Sequence, residues 1–181
     1  MQFQKTKLKD AYIIKPQVFG DHRGFFLESY SKKKFEQEGI NTEFVQDNHS
    51  RSEKKGTLRG MHFQAPPYAQ AKLLRVIKGK ILDVIVDLRR GSETFGQWES
   101  FELSSENFQI LFVPRGFAHG FMTLEDNTEV LYKADNFYEP NSEGGIAWND
   151  PELKINWPIE NPILSERDTK WPMLKNLDNP F

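Results

Sequence analysis

No cysteine occurs among the 181 residues, which removes disulfides and thiol chemistry and fits a reducing compartment. Charge of neither sign dominates: 24 Lys and Arg stand against 26 Asp and Glu, a formal net charge of -2. There is then no basic field to hold nucleic acid. The single lysine run, Lys32-Lys33-Lys34, is too short for a nucleic-acid or membrane patch and reads as the solvated face of a helix. No apolar stretch approaches membrane-spanning length, and the opening M-Q-F-Q-K-T-K-L-K-D has no apolar signal core. Internal repeats, low-complexity tracts and linkers are also missing. The expectation left by these exclusions is one cytoplasmic domain over residues 1–181, large enough to bury a core without staples. It should engage neither nucleic acid nor membrane.

Aromatic residues, by contrast, are abundant: 15 Phe, 4 Trp and 5 Tyr. Gly and Pro recur at intervals suited to short strands and turns, which predicts an all-β fold, an antiparallel sandwich or barrel. One helix is expected from Ser31 to Glu38, with Ser31 as N-cap and Gly39 as the stop. From about Asn141 onward, prolines at 151, 158, 162, 172 and 180 preclude long regular elements. That stretch reads as a tail wrapped on the body, with a short helical turn or two.

The segment Ala71 to Leu88 reads as a hairpin about a two-residue turn at Lys78-Gly79, pairing Lys72 with Ile85 and Leu74 with Asp83. Lys72, Leu74, Val76, Ile81, Asp83 and Ile85 then share one face. The other face carries Leu73, Arg75, Ile77, Leu82, Val84 and Val86. Both are largely apolar, so both should be covered, one by the barrel interior and one by a second sheet or a partner subunit. A homodimer is the economical expectation. Lys72 and Asp83 would be diagonal neighbours. They form either a structural ion pair or a cation aimed into a polar cavity, with Asp83 keeping it protonated.

Chemistry concentrates in three places: G-T-L-R-G-M-H-F-Q (Gly56 to Gln64), P-R-G-F-A-H-G-F (Pro114 to Phe121) and S-E-R-D-T-K (Ser165 to Lys170). They suggest a barrel interior where a histidine moves protons and arginines hold an anion. A metal site is the competing use of the same histidines, because the motifs resemble those of the cupin superfamily. Gly56 and His62 keep the first cupin motif, but Gln64 stands where its second histidine would be, and Ala65 to Gln70 contains no Glu. Pro114, Gly116 and His119 keep the second motif. Two imidazoles without a carboxylate make a weak site for iron, manganese or zinc, so no metal is expected.

A closer resemblance runs from Phe19 to about Pro172. It is carried by F-G-D-H-R-G-F-F-L-E, F-V-Q-D-N-H-S, G-T-L-R-G-M-H-F-Q, V-D-L-R-R-G-S-E-T-F-G-Q-W, V-P-R-G-F-A-H-G-F, L-Y-K-A-D-N-F-Y, E-G-G-I-A-W-N-D-P and L-S-E-R-D. In this order the segments are similar to those of the dTDP-4-dehydrorhamnose 3,5-epimerase family. The resemblance implies a jelly-roll, cupin-like homodimer that inverts C3 and C5 of dTDP-4-dehydro-6-deoxy-glucose through an enolate, without cofactor. It implies His62 as base with Asp168 as its dyad partner, Lys72 at the enolate oxygen and Tyr132 as proton donor on the opposite ring face. Arg23, Arg59 and Arg167 match phosphate or sugar contacts, although the family often has Lys where Arg167 stands. Glu28, Gln46, Asn48 and Glu143 match sugar or nucleoside contacts, and His119 a substrate contact. Tyr138 resembles the aromatic stacked on thymine, with Phe19 and Phe26 as neighbours.

Arg59 and His62 differ by an odd number and would face opposite ways on a regular strand. Either a bulge at Gly60 redirects one of them, or Arg59 reaches the pocket from an end or across a dimer. Three other functions use the same residues: a single-centre epimerase of another deoxysugar pathway, a non-catalytic nucleotide-sugar-binding cupin, and a metal-dependent oxygenase.

Overall fold

A computed structural model describes residues 1–181. The first third of the chain holds β1 (Gln2–Lys5), β2 (Tyr12–Lys15), β3 (Val18–Asp21), β4 (Gly24–Leu27), α1 (Lys32–Gln37), β5 (Gln46–Ser52) and β6 (Leu58–Gln64). Then follow β7 (Lys72–Lys78), β8 (Lys80–Asp87), β9 (Trp98–Ser104), β10 (Ile110–Val113), β11 (Phe117–Thr123), β12 (Thr128–Ala134) and β13 (Glu143–Gly145). Two antiparallel sheets face each other, in the orders β1-β2-β10-β7-β12-β5 and β13-β6-β11-β8-β9, and β3-β4 forms a separate ribbon. This is the expected all-β, cupin-like sandwich.

The core between the sheets takes Leu74, Val76, Leu111 and Val130 from the first sheet and Ile81, Ile85, Leu103, Phe117 and Phe121 from the second. Apolar and β-branched residues at every second position give each sheet one dry face, and burying each large side chain is worth roughly 1.5–3 kcal/mol. The strand β5 follows a different logic. Its exposed residues alternate with the partly buried Gln46, Asn48 and Ser50 and the buried Ser52, so a polar row turns inward. That row backs a cavity rather than a dry core.

The hairpin expected at Lys78-Gly79 does not form, because β7 and β8 lie in different sheets. Each finds partners of its own: β7 pairs with β10 and β12, and β8 with β11 and β9. Gly79, at φ +77°, makes the corner between the layers, and a Cβ there would meet Thr128 Oγ1 at 2.5 Å. The division into faces nevertheless holds. Leu74, Val76, Ile81 and Ile85 point inward. Leu73 packs outside on Ile14, Phe35 and Ile40, while Val84 and Val86 pack on Met61, Ile146 and Leu153. The outer faces are therefore covered largely by this chain's own N-terminal segment and tail.

The helix spans Lys32–Gln37, with Ser31 in the N-cap position although its hydroxyl makes no capping bond. Gly39 follows at φ +81°, the left-handed conformation that ends a helix. Phe35 anchors the helix, its ring 5.0 Å from those of Phe3 and Tyr30, and the three lysines stay in solvent. The tail contains two 3-10 turns, Pro140–Ser142 and Leu174–Asn176. Asp150 ties it down by accepting from the backbone N–H groups of Glu152 and Leu174 at 2.8 and 2.6 Å. No helix is long and apolar enough to cross a membrane.

Candidate active site

The site begins with the irregularity in β6. His62 stands opposite His119 and Arg59 opposite Phe121, a three-residue step against two on the partner strand. The extra residue is the bulge expected at Gly60. Only glycine fits there: φ is +148°, and a Cβ would lie 2.5 Å from the Cα of Gly120. The bulge turns Arg59 and His62 into one cavity of about 350 Å³, which Lys72, His119, Tyr132, Arg167 and Asp168 also line. Ser50, Thr57, Leu58, Leu74, Phe121 and the tail segment Ile163, Leu164 and Ser165 complete its wall.

His62 and Asp168, 106 residues apart, meet because the tail returns along the start of β6, where Leu58 N–H donates to the Ile163 carbonyl, with Asp168 Oδ1 2.5 Å from His62 Nε2. Burial lowers the His62 pKa, and the charges of Lys72 and Arg167 act the same way. The hydrogen bond and charge of Asp168 oppose them without overcoming them. The ring is therefore neutral at neutral pH, with Nε2 held by the carboxylate and Nδ1 left to take a proton. Burial pushes the Asp168 carboxyl up. The bond to His62 and its charge, Ser165 and Arg167 outweigh that and hold it below the usual carboxylate range.

Lys72 enters from the opposite sheet. Burial pulls its ammonium down to about 8, against the opposing influence of Asp83 and Glu143. It remains largely charged at neutral pH. Tyr132 pairs with Leu74 across β12 and β7, and burial raises its phenol, so it keeps a proton to give. His119 Nε2 bonds both oxygens of Asp83 at 3.1 and 3.0 Å, in a pair almost closed to solvent. Arg167 Nη1 lies 2.7 and 2.6 Å from the two oxygens of Glu143. Arg59 donates to Ser52 Oγ and to the Arg51 carbonyl, both at 3.2 Å.

One cavity thus holds a neutral imidazole backed by a carboxylate, a buried ammonium, a protonated phenol and two guanidinium groups. The family model for dTDP-4-dehydrorhamnose 3,5-epimerase matches residues 5–176. This chain belongs to that epimerase family. The Shigella flexneri dTDP-4-dehydrorhamnose 3,5-epimerase is 52% identical over 169 residues, 93% of each chain. The solved Bacillus anthracis dTDP-4-dehydrorhamnose 3,5-epimerase, with TDP and PPi bound, superposes with a TM-score of 0.93 at 50% identity, covering 95% of this chain and 98% of that one. The Legionella pneumophila dTDP-6-deoxy-D-glucose-3,5-epimerase, in complex with dTDP-4-keto-L-rhamnose, gives 0.93 at 44% identity over 98% and 94%. Membership makes the chain an isomerase acting on a carbohydrate.

The residue standing where a second cupin histidine would be is committed elsewhere. Gln64 donates to the carbonyls of Tyr68 and Phe137 at 2.7 and 3.1 Å and accepts from the Glu139 N–H at 2.8 Å. Its amide is spent tying three loop positions together. His62 and His119 each have Nε2 against a carboxylate, and no cluster of three or more His, Cys, Asp or Glu has a metal-binding arrangement. The residues present do not assemble a ligand set.

The remaining expected contacts fall into two groups. Gln46 donates to Asn48 Oδ1 at 2.9 Å, Asn48 stands opposite Tyr132, and the Tyr138 N–H reaches Gln46 Oε1 at 3.3 Å. Tyr138 is 53% exposed, with its hydroxyl 3.5 Å from Glu143 Oε2; none of these four residues lines the cavity, and they adjoin it only through Tyr132 and Arg167. Arg23, Phe26 and Glu28 do not reach the cavity within one chain. They lie on or just past the β3–β4 ribbon, where Arg23 pairs with Asp21 at 2.5 Å and Glu28 with Lys34 at 2.7 Å. The same ribbon exposes 55% of Phe19, 61% of Phe25 and 69% of Phe26. Ser50 was not expected in the cavity; all of β5 is polar, so its sequence does not mark which row faces inward.

Proposed function

We propose that the chain is a homodimeric, cofactor-independent 3,5-epimerase converting dTDP-4-dehydro-6-deoxy-D-glucose to dTDP-4-dehydro-L-rhamnose. His62 Nδ1 takes the proton from the carbon beside the C4 ketone, and the C–H electron pair moves into the ring as O4 becomes an enolate oxygen. The Lys72 ammonium balances that charge in a cavity where water screens little. The electrons return to carbon as the Tyr132 hydroxyl delivers a proton on the opposite face. Tyr132 then regains a proton and His62 loses one through solvent, so no redox partner is needed. Asp168 keeps the imidazole in the accepting tautomer and stabilises the imidazolium, as the acid does in hydrolytic triads. Repeating the exchange at the second carbon flanking the ketone completes the reaction.

Arg59 suits the diphosphate, and Arg167 joins it once an anion competes with Glu143. The uncovered phenylalanines of the β3–β4 ribbon fit burial against a second copy, which would also give Arg23, Phe26 and Glu28 a partner cavity to reach. The observation that carries this reading is the His62–Asp168 pair at 2.5 Å in one cavity with Lys72 and Tyr132. The test is NMR of the 4-keto sugar nucleotide in D2O. Deuterium should enter at both C3 and C5 with the L-configured product. Label at one carbon alone would reassign the chain as a single-centre epimerase, and no label would leave it a binding protein.

A further inference from the structure

The first imidazole–carboxylate pair is accounted for by proton abstraction; the second is not. Asp83 is completely buried, on β8. Its register partner Phe121 and the pair His119–Ile85 set His119 two positions away on the neighbouring strand, on the same face. The carboxylate holds His119 Nε2 through both oxygens at 3.1 and 3.0 Å. Both His119 and Lys72 line the cavity, Lys72 arriving from the facing sheet. A wholly buried carboxylate is costly unless charge compensates it; burial raises the Asp83 carboxyl, and His119 by contact and Lys72 by its charge act against that rise.

We propose that Asp83 is a positioning residue of the epimerisation, its carboxylate shared between His119, which it orients, and Lys72, which it keeps charged opposite the enolate oxygen. This rests on the reaction given above and extends it. The groups around Lys72 leave few others for the task. Glu143 is the second carboxylate acting on the ammonium, but Arg167 holds both of its oxygens. Asp168 belongs to His62. Arg59, Arg167 and the two imidazoles bring no negative charge, and Tyr132 is held protonated by its burial. Asp83 remains the anion without a cationic side chain of its own. Its bond to His119 also fixes that ring with Nε2–H toward the carboxylate, leaving Nδ1 as an acceptor for a sugar hydroxyl.

The test is the pH profile of kcat/KM for the wild-type enzyme and Asp83→Asn, which keeps the shape and removes the charge. The wild-type profile should fall on the alkaline side near 8, where Lys72 deprotonates. In Asp83→Asn that limb should move to lower pH by about 1 unit, the lower end of the effect of losing a nearby opposite charge, while the His62 limb stays in place. Adding Asp83→Asn to Lys72→Met should cost less than tenfold further, because the ammonium it serves is gone. An unmoved alkaline limb, or full multiplicative losses in the double variant, would overturn the proposal. If Asp83→Asn does not fold, NMR of the unaltered protein decides. A 13C label on the Asp83 carboxyl should report the same inflection as Lys72 Nζ, near 8; a carboxyl signal blind to that step would overturn the proposal. A wild-type enzyme that exchanges no deuterium sinks the reaction itself, a separate failure.

Discussion

Replacing Asp168 by asparagine isolates the electrostatic part of the dyad, because the two side chains have the same shape and the site is 3% exposed. The carboxylate oxygen lies 2.5 Å from His62 Nε2, which puts the centres of the two charges about 4 Å apart once the ring is protonated. At an effective dielectric near 20 that attraction is worth about 4 kcal/mol. It acts only when His62 carries the abstracted proton, so it lowers the barrier rather than tightening ground-state binding. At about 1.4 kcal/mol per factor of ten, kcat should fall roughly a thousandfold with little change in the affinity for dTDP. The acid limb of kcat/KM should also move. Asp168 is what raises the His62 pKa against burial, Lys72 and Arg167, so its loss shifts that limb further below 6.5. Stability has a separate sign. The lowered Asp168 carboxyl contributes stability above its unfolded pKa of about 3.9, and that contribution disappears as pH falls through the still lower folded value. The melting temperature of Asp168→Asn should accordingly change less with pH than that of wild type below about pH 4. The assay is deuterium incorporation at C3 and C5 by NMR across pH, with dTDP affinity by calorimetry. A loss under tenfold with an unmoved acid limb would refute the dyad as the operating base.

Tyr132→Phe should still wash deuterium into the starting sugar from the His62 face, while inverted product falls about 10²- to 10⁴-fold, the usual range for a lost acid; equal loss of both would mean that Tyr132 is not the donor. Gly60→Ala forces a side chain into 2.5 Å of the Gly120 Cα at φ +148°, costing about 3 kcal/mol. For a chain of 181 residues that lowers the melting point by roughly 6–12 °C, and an unchanged calorimetric trace would mean that the bulge tolerates Cβ. If the β3–β4 ribbon joins two copies as proposed, Phe25→Ser with Phe26→Ser should give monomers in sedimentation and depress activity, because Arg23, Phe26 and Glu28 would lose a partner cavity; an active monomer would remove the ribbon from the site.

Sequence pattern carried unequal parts of this. The helix at Ser31 was legible through its flanking residues, and the bulge at Gly60 through the odd spacing of Arg59 and His62, since strand geometry turns a parity conflict into a local prediction. The faces of β7 and β8 were legible from alternation, but their partners were not. Alternation says which side is dry and is silent on which strand lies alongside. That is why Lys72 and Asp83 were expected side by side and instead approach from facing sheets. The His62–Asp168 contact spans 106 residues, and no local rule reaches so far; only the resemblance of whole segments brought the two together. Ser50 was missed because a strand polar on both faces reads the same whether it is solvated or backs a cavity.

The corner at Gly79 has a consequence for tuning the enzyme. With Lys72 and Asp83 mounted on separate layers, the gap between those layers sets the spacing of the proposed pair. Enlarging an interior residue such as Leu74 or Ile85 would prise the layers apart and weaken the attraction proposed between those two groups while leaving every polar atom unaltered. Reaction rate would then follow hydrophobic volume, and repacking the interior becomes a handle on chemistry carried out at its rim.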